Sequence, residues 1–172
     1  TAVFTLVNSV LLRPLPYPAS DRLAIVRAHD PRGGTGLSYP EVQRLQGELS
    51  SFEAWGLYRP GYVSTLDRNS DNPLPVQDMR ITPELFPLLG LQVVLGRPLM
   101  SDDAMDANPG VAIIDHDLWR TRFGGAPDVL GKSFELRPGR NLTVVGVAAP
   151  AADVPGNRSS FPIVWNSIRV SE

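Results

Sequence analysis

Two histidines, His29 and His116, are the only imidazoles in this chain, and cysteine is absent. A Ser-His-Asp arrangement would have to run through one of them, yet the chain contains no G-x-S-x-G nucleophile elbow. His29 lies in HDPRGGTG, a stretch dense in turn formers, and His116 lies in DHD at the start of a predicted helix. Aspartates flanking a residue at a helix N-terminus complement the helix dipole, so His116 reads first as a surface residue of a helix start and only second as a ligand or base. Asp102, Asp103 and Asp106 in SDDAMDANPG could hold a hard cation through oxygen. They lack the Gly and distal Glu of an EF-hand loop, so they are expected to fan into solvent. RGGTG shares only composition with a phosphate-cradling loop, because the Lys-Ser/Thr and the following apolar helix are missing; it reads as a plain turn. Trp55, Trp119 and Trp165 with Tyr58 and Tyr62 could build a sugar-stacking face, although Trp119 stands at helical spacing from Phe123 and reads as core. Sequons at Asn141 and Asn157 carry meaning only in a glycosylating secretory pathway. These residues assign no catalytic, cofactor-binding or metal position.

The elements that would have to position such groups follow from periodicity. RLAIVRA (Arg22 to Ala28) alternates with β-branched residues and predicts a strand. In LSYPEVQRLQGEL, Ser38 can cap, Pro40 can take an early helical position, and Val42, Leu45 and Leu49 share a face, which predicts a helix over Tyr39 to Glu48. Strands are expected over Phe52 to Leu66 and Pro75 to Ile81, joined by the polar turn DRNSDNP as a hairpin. RITPELFPLLG predicts a two-turn helix with Thr82 as N-cap, Pro83 at its first position, Glu84 in its first turn and Gly90 just past its end, Pro87 limiting its regularity. VAII reads as a buried strand and DHDLWRTRF as a helix stopped by Gly124 and Gly125. KSFELRPGRNLTVVGV predicts a hairpin with a four-residue connection, PGRN, and FPIVW is one last apolar stretch in a Pro-, Gly- and Ser-rich tail.

Composition narrows the class. A chain of 172 residues can bury roughly 70% of its unfolded surface, enough for one domain or two small packed subdomains. Apolar residues at 42% and charged residues at 20% are ordinary globular usage, which excludes disorder, while seventeen prolines and fifteen glycines point to many turns. The net charge of -2 offers no basic excess for a phosphate backbone, so nucleic acid is a poor partner. Without cysteine there is no disulfide framework, thiolate metal site or Cys nucleophile. The opening TAVFTLVNSVLLRPLPYP is nearly unbroken in apolar residues up to Arg13. As a helix, Thr1 to Leu12 reaches only ~18 Å against a hydrocarbon core of about 30 Å, and the flanks are not those of a signal peptide. It reads as a buried helix or as the last turns of a longer membrane helix.

Taken together, TAVFTLVNSVLLRPLPYP, LSYPEVQRLQ, RITPELFPLLGLQVVLGRPLMSDD, and VAIIDHDLWRTRFGGAPDVLGKSFEL followed by LTVVGV resemble, in order and spacing, the extracytoplasmic (periplasmic) core domain of MacB-type, FtsX-like ABC transporter permeases. The resemblance covers nearly the whole chain and implies an α+β fold of two subdomains. Residues 1–18 would be the end of the first transmembrane helix and its exit, with Arg13 near the interface. Residues 21–95 would form a porter-like lobe with βαβ elements, 96–147 a smaller sabre-like mixed lobe, and 148–172 a returning segment. It implies a non-catalytic part that transmits ATP-driven movement across the bacterial inner membrane to a substrate or partner protein, with no cofactor of its own. The implied partners are an ATP-binding ABC subunit or domain, a second permease copy as a dimer, a periplasmic adaptor or substrate, and the membrane. No ATPase motif is on this chain. Two other readings of the residues stand beside it: a small secreted hydrolase using His116 with Asp102 or Asp103, and a carbohydrate-binding module using exposed Trp and Tyr. The first needs a pocket joining His116 to a nucleophile, the second a solvent-facing aromatic row.

Overall fold

The computed structural model describes residues 17–27, 37, 39–67, 71–105, 110–157 and 159–168. They fall in two compact units, Thr1–Ser38 and Tyr39–Glu172. The apolar opening Thr1 to Leu12, His29, the RGGTG turn, the Ser38 cap and Asp106 lie outside the described residues. In the first unit a 3-10 turn, Ser20–Arg22, is closed by the Arg22 N–H on the Ala19 carbonyl at 2.9 Å. The strand predicted over Arg22 to Ala28 does not form: residues 23–27 have no regular structure. β-branched alternation makes a strand only where a neighbouring strand takes up the backbone donors and acceptors.

The second unit is built on one mixed sheet. Its strands are β1 (Tyr58–Leu66), β2 (Leu74–Ile81), β3 (Val93–Gly96), β4 (Val111–Ile114), β5 (Ser133–Arg137), β6 (Arg140–Ala148) and β7 (Ile163–Ser167). They lie in the order β1-β2-β7-β4-β6-β3, with β5 also paired to β6. β7, from the last apolar stretch of the chain, inserts between β2 (parallel) and β4 (antiparallel), and all five of its residues are buried. The sheet curls until β1 runs alongside β5 with Cα atoms within 8 Å, yet among the described residues no hydrogen-bonded ladder joins these two. Strand alternation then sorts side chains into two layers. Inside the curl Leu66, Val76, Ile114, Leu136, Val144 and Val164 form the main core. On the opposite face Phe86 meets the fully buried Trp165 edge-on, ring centroids 5.4 Å apart.

Three helices accompany the sheet among the described residues. α1 (Tyr39–Glu48) has the predicted span, with Val42 buried and Leu45 and Leu49 half-buried. α2 is one turn, Leu85–Leu88, where two were predicted. Pro87 has no N–H to give, which removes one bond of the ladder. Thr82 does not cap it; its hydroxyl accepts the Leu57 N–H at 3.1 Å. The predicted stop is present as a Schellman motif: Gly90 has φ 67, its N–H reaches the Pro87 carbonyl, and the Leu91 N–H reaches Phe86. α3 (His116–Arg122) ends as predicted at Gly124, φ 66. The β1–β2 hairpin forms, but its ladder begins at Tyr58 rather than Phe52. The β5–β6 hairpin turns on two residues, Pro138 and Gly139, with Arg137 opposite Arg140, because Gly139 takes φ 77 and closes the turn early. None of the described helices is long and apolar enough to cross a membrane.

Candidate functional site

The residues with potential chemistry gather at two places on the second unit, the start of α3 and the segment after β3. β4 delivers Asp115 to the sheet's end, where its carboxylate caps α3 by accepting the N–H groups of Asp117 (2.6 Å) and Leu118 (3.3 Å). His116 therefore sits at the helix start, as its flanking aspartates predict. Its Nδ1 lies 3.8 Å from an Asp117 carboxylate oxygen, and its ring packs edge-on against Trp119 with centroids 5.5 Å apart. Trp119 in turn donates its indole N–H to the Ala126 carbonyl at 2.9 Å and packs on the main core.

Beside this helix start opens a cleft of about 300 Å³. Asp115, Asp117, Asp153, Asn157, Ser159 and Phe161 are among its walls, and His116 is not among its described lining residues. The side chains that could act there are engaged locally. Asp153 accepts from the Val154 N–H and from Asn157 Nδ2, and Ser159 Oγ accepts from the Phe161 N–H. The structure thus does not bring His116 together with a serine or threonine hydroxyl among the described residues, nor with Asp102 or Asp103.

The acidic segment departs from its predicted arrangement. Asp102 is exposed, but Asp103 is 8% exposed and belongs to a clamp. Arg97 holds both of its oxygens, Nη1 to Oδ2 at 2.7 Å and Nη2 to Oδ1 at 2.9 Å, and the Met100 N–H donates to Oδ2 at 2.7 Å. A two-pronged guanidinium–carboxylate contact of this kind is both strong and directional. Burial pushes the Asp103 carboxyl up; the Arg97 hydrogen bonds, the Met100 N–H and the Arg97 charge outweigh it and hold the group below the usual carboxylate range. The same hydrogen bonds raise Arg97, against burial. With its oxygens committed to Arg97, Asp103 is a loop fastener and not a cation ligand. Among the described residues no group of three or more His, Asp or Glu is placed to hold a metal.

The five aromatic candidates are dispersed. Trp165 is in the core, Trp119 is on α3, Trp55 stacks obliquely on Phe52 at 4.9 Å, and the Tyr58 hydroxyl donates to the Pro155 carbonyl at 2.8 Å. Tyr62 alone of the five stands in solvent, 88% exposed, so they make no row for a sugar to stack on. What sequence reasoning missed is a buried polar line across the inner face of the sheet. Asn166 donates to Asp78 at 2.7 Å while its carbonyl accepts from Arg140 Nη2, and both Asp78 and Asn166 are 1% exposed. β-strand alternation in QDMRI and IVWNS put a polar residue on an inner position, the one signal available.

Solved structures share this fold. The periplasmic region of MacB from Actinobacillus actinomycetemcomitans matches with TM-score 0.54 at 18% identity, over 72% of this chain and 52% of that one. A domain of a putative permease protein from Porphyromonas gingivalis matches with TM-score 0.53 at 20% identity, over 73% and 55%. The extracellular domain of the noncanonic ABC-type transporter YknZ from Gram-positive bacteria matches with TM-score 0.60 at 16% identity, over 77% and 63%. The matched part is therefore less than two thirds of each of those structures. No curated protein matches the chain. The family of MacB-like periplasmic core domains matches residues 1–171, and with nearly every residue included the chain belongs to that family.

Proposed function

We propose that this chain is a non-catalytic extracytoplasmic part of an ABC transporter permease in the bacterial inner membrane, and that it passes ATP-driven movement of the permease helices to a substrate or partner protein. The observation that carries the reading is the family match over residues 1–171. Two local facts support it. The buried carboxylate nearest a cation-binding pattern is spent on holding a loop, and the helix-start histidine is packed against an indole. In this reading energy comes from an ATP-binding subunit or domain, the permease pairs with a second copy as a dimer, the domain moves as a rigid body, and a periplasmic adaptor or substrate receives the motion. Residues 21–95 and 96–147 would be its porter-like and sabre-like lobes, with 148–172 returning to the first. Limited proteolysis between 96 and 110 tests that division, which fails if the cut chain melts in the same single transition as the intact one.

The test of the function uses a cysteine-free background: these 172 residues contain no cysteine, and any cysteine elsewhere in the permease is replaced by serine. A single cysteine on an exposed strand residue, Tyr62→Cys, is spin-labelled in the full-length permease reconstituted with its ATP-binding partner in nanodiscs. Distances between the two copies should change on adding ATP and stay changed with a hydrolysis-deficient partner. Distances that do not respond to nucleotide overturn the proposal. An enzymatic reading would be reinstated if His116→Ala abolished turnover of a generic ester or glycoside by the purified domain without altering its melting temperature.

A further inference from the structure

We propose that one end of the curled sheet, where β2, β5 and β7 finish, is a binding site for a phosphate group, built on Arg59, Arg80, Arg137 and Arg140. Strand direction brings these residues together. β1 runs antiparallel to β2, β2 parallel to β7, β7 antiparallel to β4, β4 parallel to β6, and β6 antiparallel to β5. The starts of β1 and β6 therefore lie at the same rim as the ends of β2, β5 and β7. There Arg59 stands directly opposite Arg80, and Arg137 directly opposite Arg140 across the Pro138–Gly139 turn. Arg80 is in turn the register neighbour of Asn166 on β7. Because the curl lays β1 beside β5, both arginine pairs belong to one rim. All of them reach solvent: Arg59 and Arg137 are exposed, Arg80 and Arg140 half-buried.

Like charges directly opposite on neighbouring strands repel, with Cα atoms about 4.5–5.5 Å apart. The chain as a whole carries -2, so two such pairs at one rim are not a by-product of overall charge. Within these strand ends the carboxylates are Asp78, 1% exposed and bonded to Asn166, and Glu135, whose Oε1 accepts the Gly139 N–H at 3.1 Å. The buried polar line also gives the rim a fixed point. Arg140 Nη2 donates to Asn166 Oδ1, and Asn166 Nδ2 donates to Asp78 Oδ1 at 2.7 Å, so this guanidinium is oriented from below by two residues that solvent does not reach. Arg59, Arg80 and Arg140 all have contacts within the chain. A guanidinium has five N–H donors, so the site does not need them idle. A phosphate monoester or pyrophosphate group matches this arrangement: its charge, close to -2 or beyond, answers both arginine pairs, and its oxygens accept forked bonds from several guanidiniums at once. A single carboxylate would leave one pair uncompensated. The phosphate can belong to a soluble molecule or to a lipid head group. The site stands on this geometry and not on the transporter reading.

Two binding measurements on the 172-residue chain test it: calorimetric titration with inorganic pyrophosphate, and co-sedimentation with phosphatidylcholine vesicles that do or do not contain phosphatidic acid, both at about 0.1 M salt. Arg59→Gln and Arg137→Gln, at exposed positions, should each weaken binding about tenfold, the loss of one charge-assisted hydrogen bond. Arg44→Gln on α1 removes the same charge and should change nothing. Arginine-dependent binding of pyrophosphate supports the site with a soluble ligand, and arginine-dependent binding of phosphatidic acid vesicles alone supports it with a lipid head group. Melting separates this site from a set of structural ion pairs. Without anion, Arg137→Gln should melt at or above the unaltered chain, because one repulsion is gone; with pyrophosphate the order should reverse. Binding of neither probe, equal weakening by Arg44→Gln, or a lower melting temperature of Arg137→Gln both with and without pyrophosphate would overturn the proposal. Should neither variant fold, competition on the unaltered chain decides: sulfate should displace the bound probe where chloride at equal ionic strength does not, and equal displacement by the two overturns the site.

Discussion

Arg97–Asp103 and Arg122–Asp67, two Arg–Asp clasps among the described residues, use the same chemistry at opposite ranges. Arg97 and Asp103 are six residues apart, pair through both prongs, and enclose a short loop whose Met100 N–H joins the same carboxylate. Arg122 and Asp67 are 55 residues apart, pair through one prong, and join a helix to a hairpin tip. The first closes a small loop at little entropic cost and rests against the close crossing of β3 and β6, where a β-carbon on Gly96 would stand 2.2 Å from the Val145 carbonyl oxygen. The second holds parts that have no ladder between them. An ion pair of similar length thus reinforces an element already fixed in one place and bridges a seam in the other.

The comparison is broken most severely from the backbone. Gly96→Ala forces a left-handed residue with a side chain into contact with the Val145 carbonyl and the Gly146 Cα. It should cost about 3 kcal/mol or more, read as a lower urea midpoint, and free the Arg97 clamp with it. Next in size is Asp103→Asn. It leaves Arg97, which is 41% exposed and can rehydrate, so the loss should be about 2 kcal/mol. Its pH dependence identifies the cause. Asp103 is depressed in the folded state, so its stabilisation is fully present above the unfolded carboxylate pKa of about 3.9 and disappears as pH falls through the lower folded value. The melting gap between the native chain and Asp103→Asn should be constant above about pH 5 and shrink below 4; a gap that persists into acid would mean the side chain acts by packing.

Gly124→Ala calibrates the first substitution. Gly124 has nearly the same φ as Gly96 but nothing within 4 Å of an added β-carbon, so its cost should be the conformational part alone, about 1 kcal/mol. If both alanines cost the same, crowding at β3 contributes nothing. The smallest effect is the coupling between Asp67 and Arg122, about 0.5–1 kcal/mol in a double-mutant cycle on global unfolding and reduced by 0.5 M salt. A coupling insensitive to salt would mean that the long-range clasp is as enclosed as the short one.

Local chemistry was legible from residue order. The span Tyr39–Glu48, the Asp115-capped start of α3, the glycine stops at Gly90 and Gly124, and the VAII strand all depend on dihedral preferences and hydrogen bonds within a few residues, so the sequence carries them directly. Four motifs in register likewise carry the resemblance to the family. The chain alone was silent where a partner distant in sequence decides. Residues 23–27 had the alternation of a strand but pair with no strand among the described residues, while the end of FPIVW, in a tail of turn formers, entered the fully buried strand Ile163–Ser167 between β2 and β4. Asp103 looked like a solvated carboxylate because nothing in SDDA states that Arg97 will fold back over it, and Asp67 looked like one residue of a polar turn until α3 placed Arg122 beside it. Backbone preference and periodicity are properties of neighbouring residues; burial and pairing are properties of the closed sheet, which exists only once strands far apart in the chain have come together.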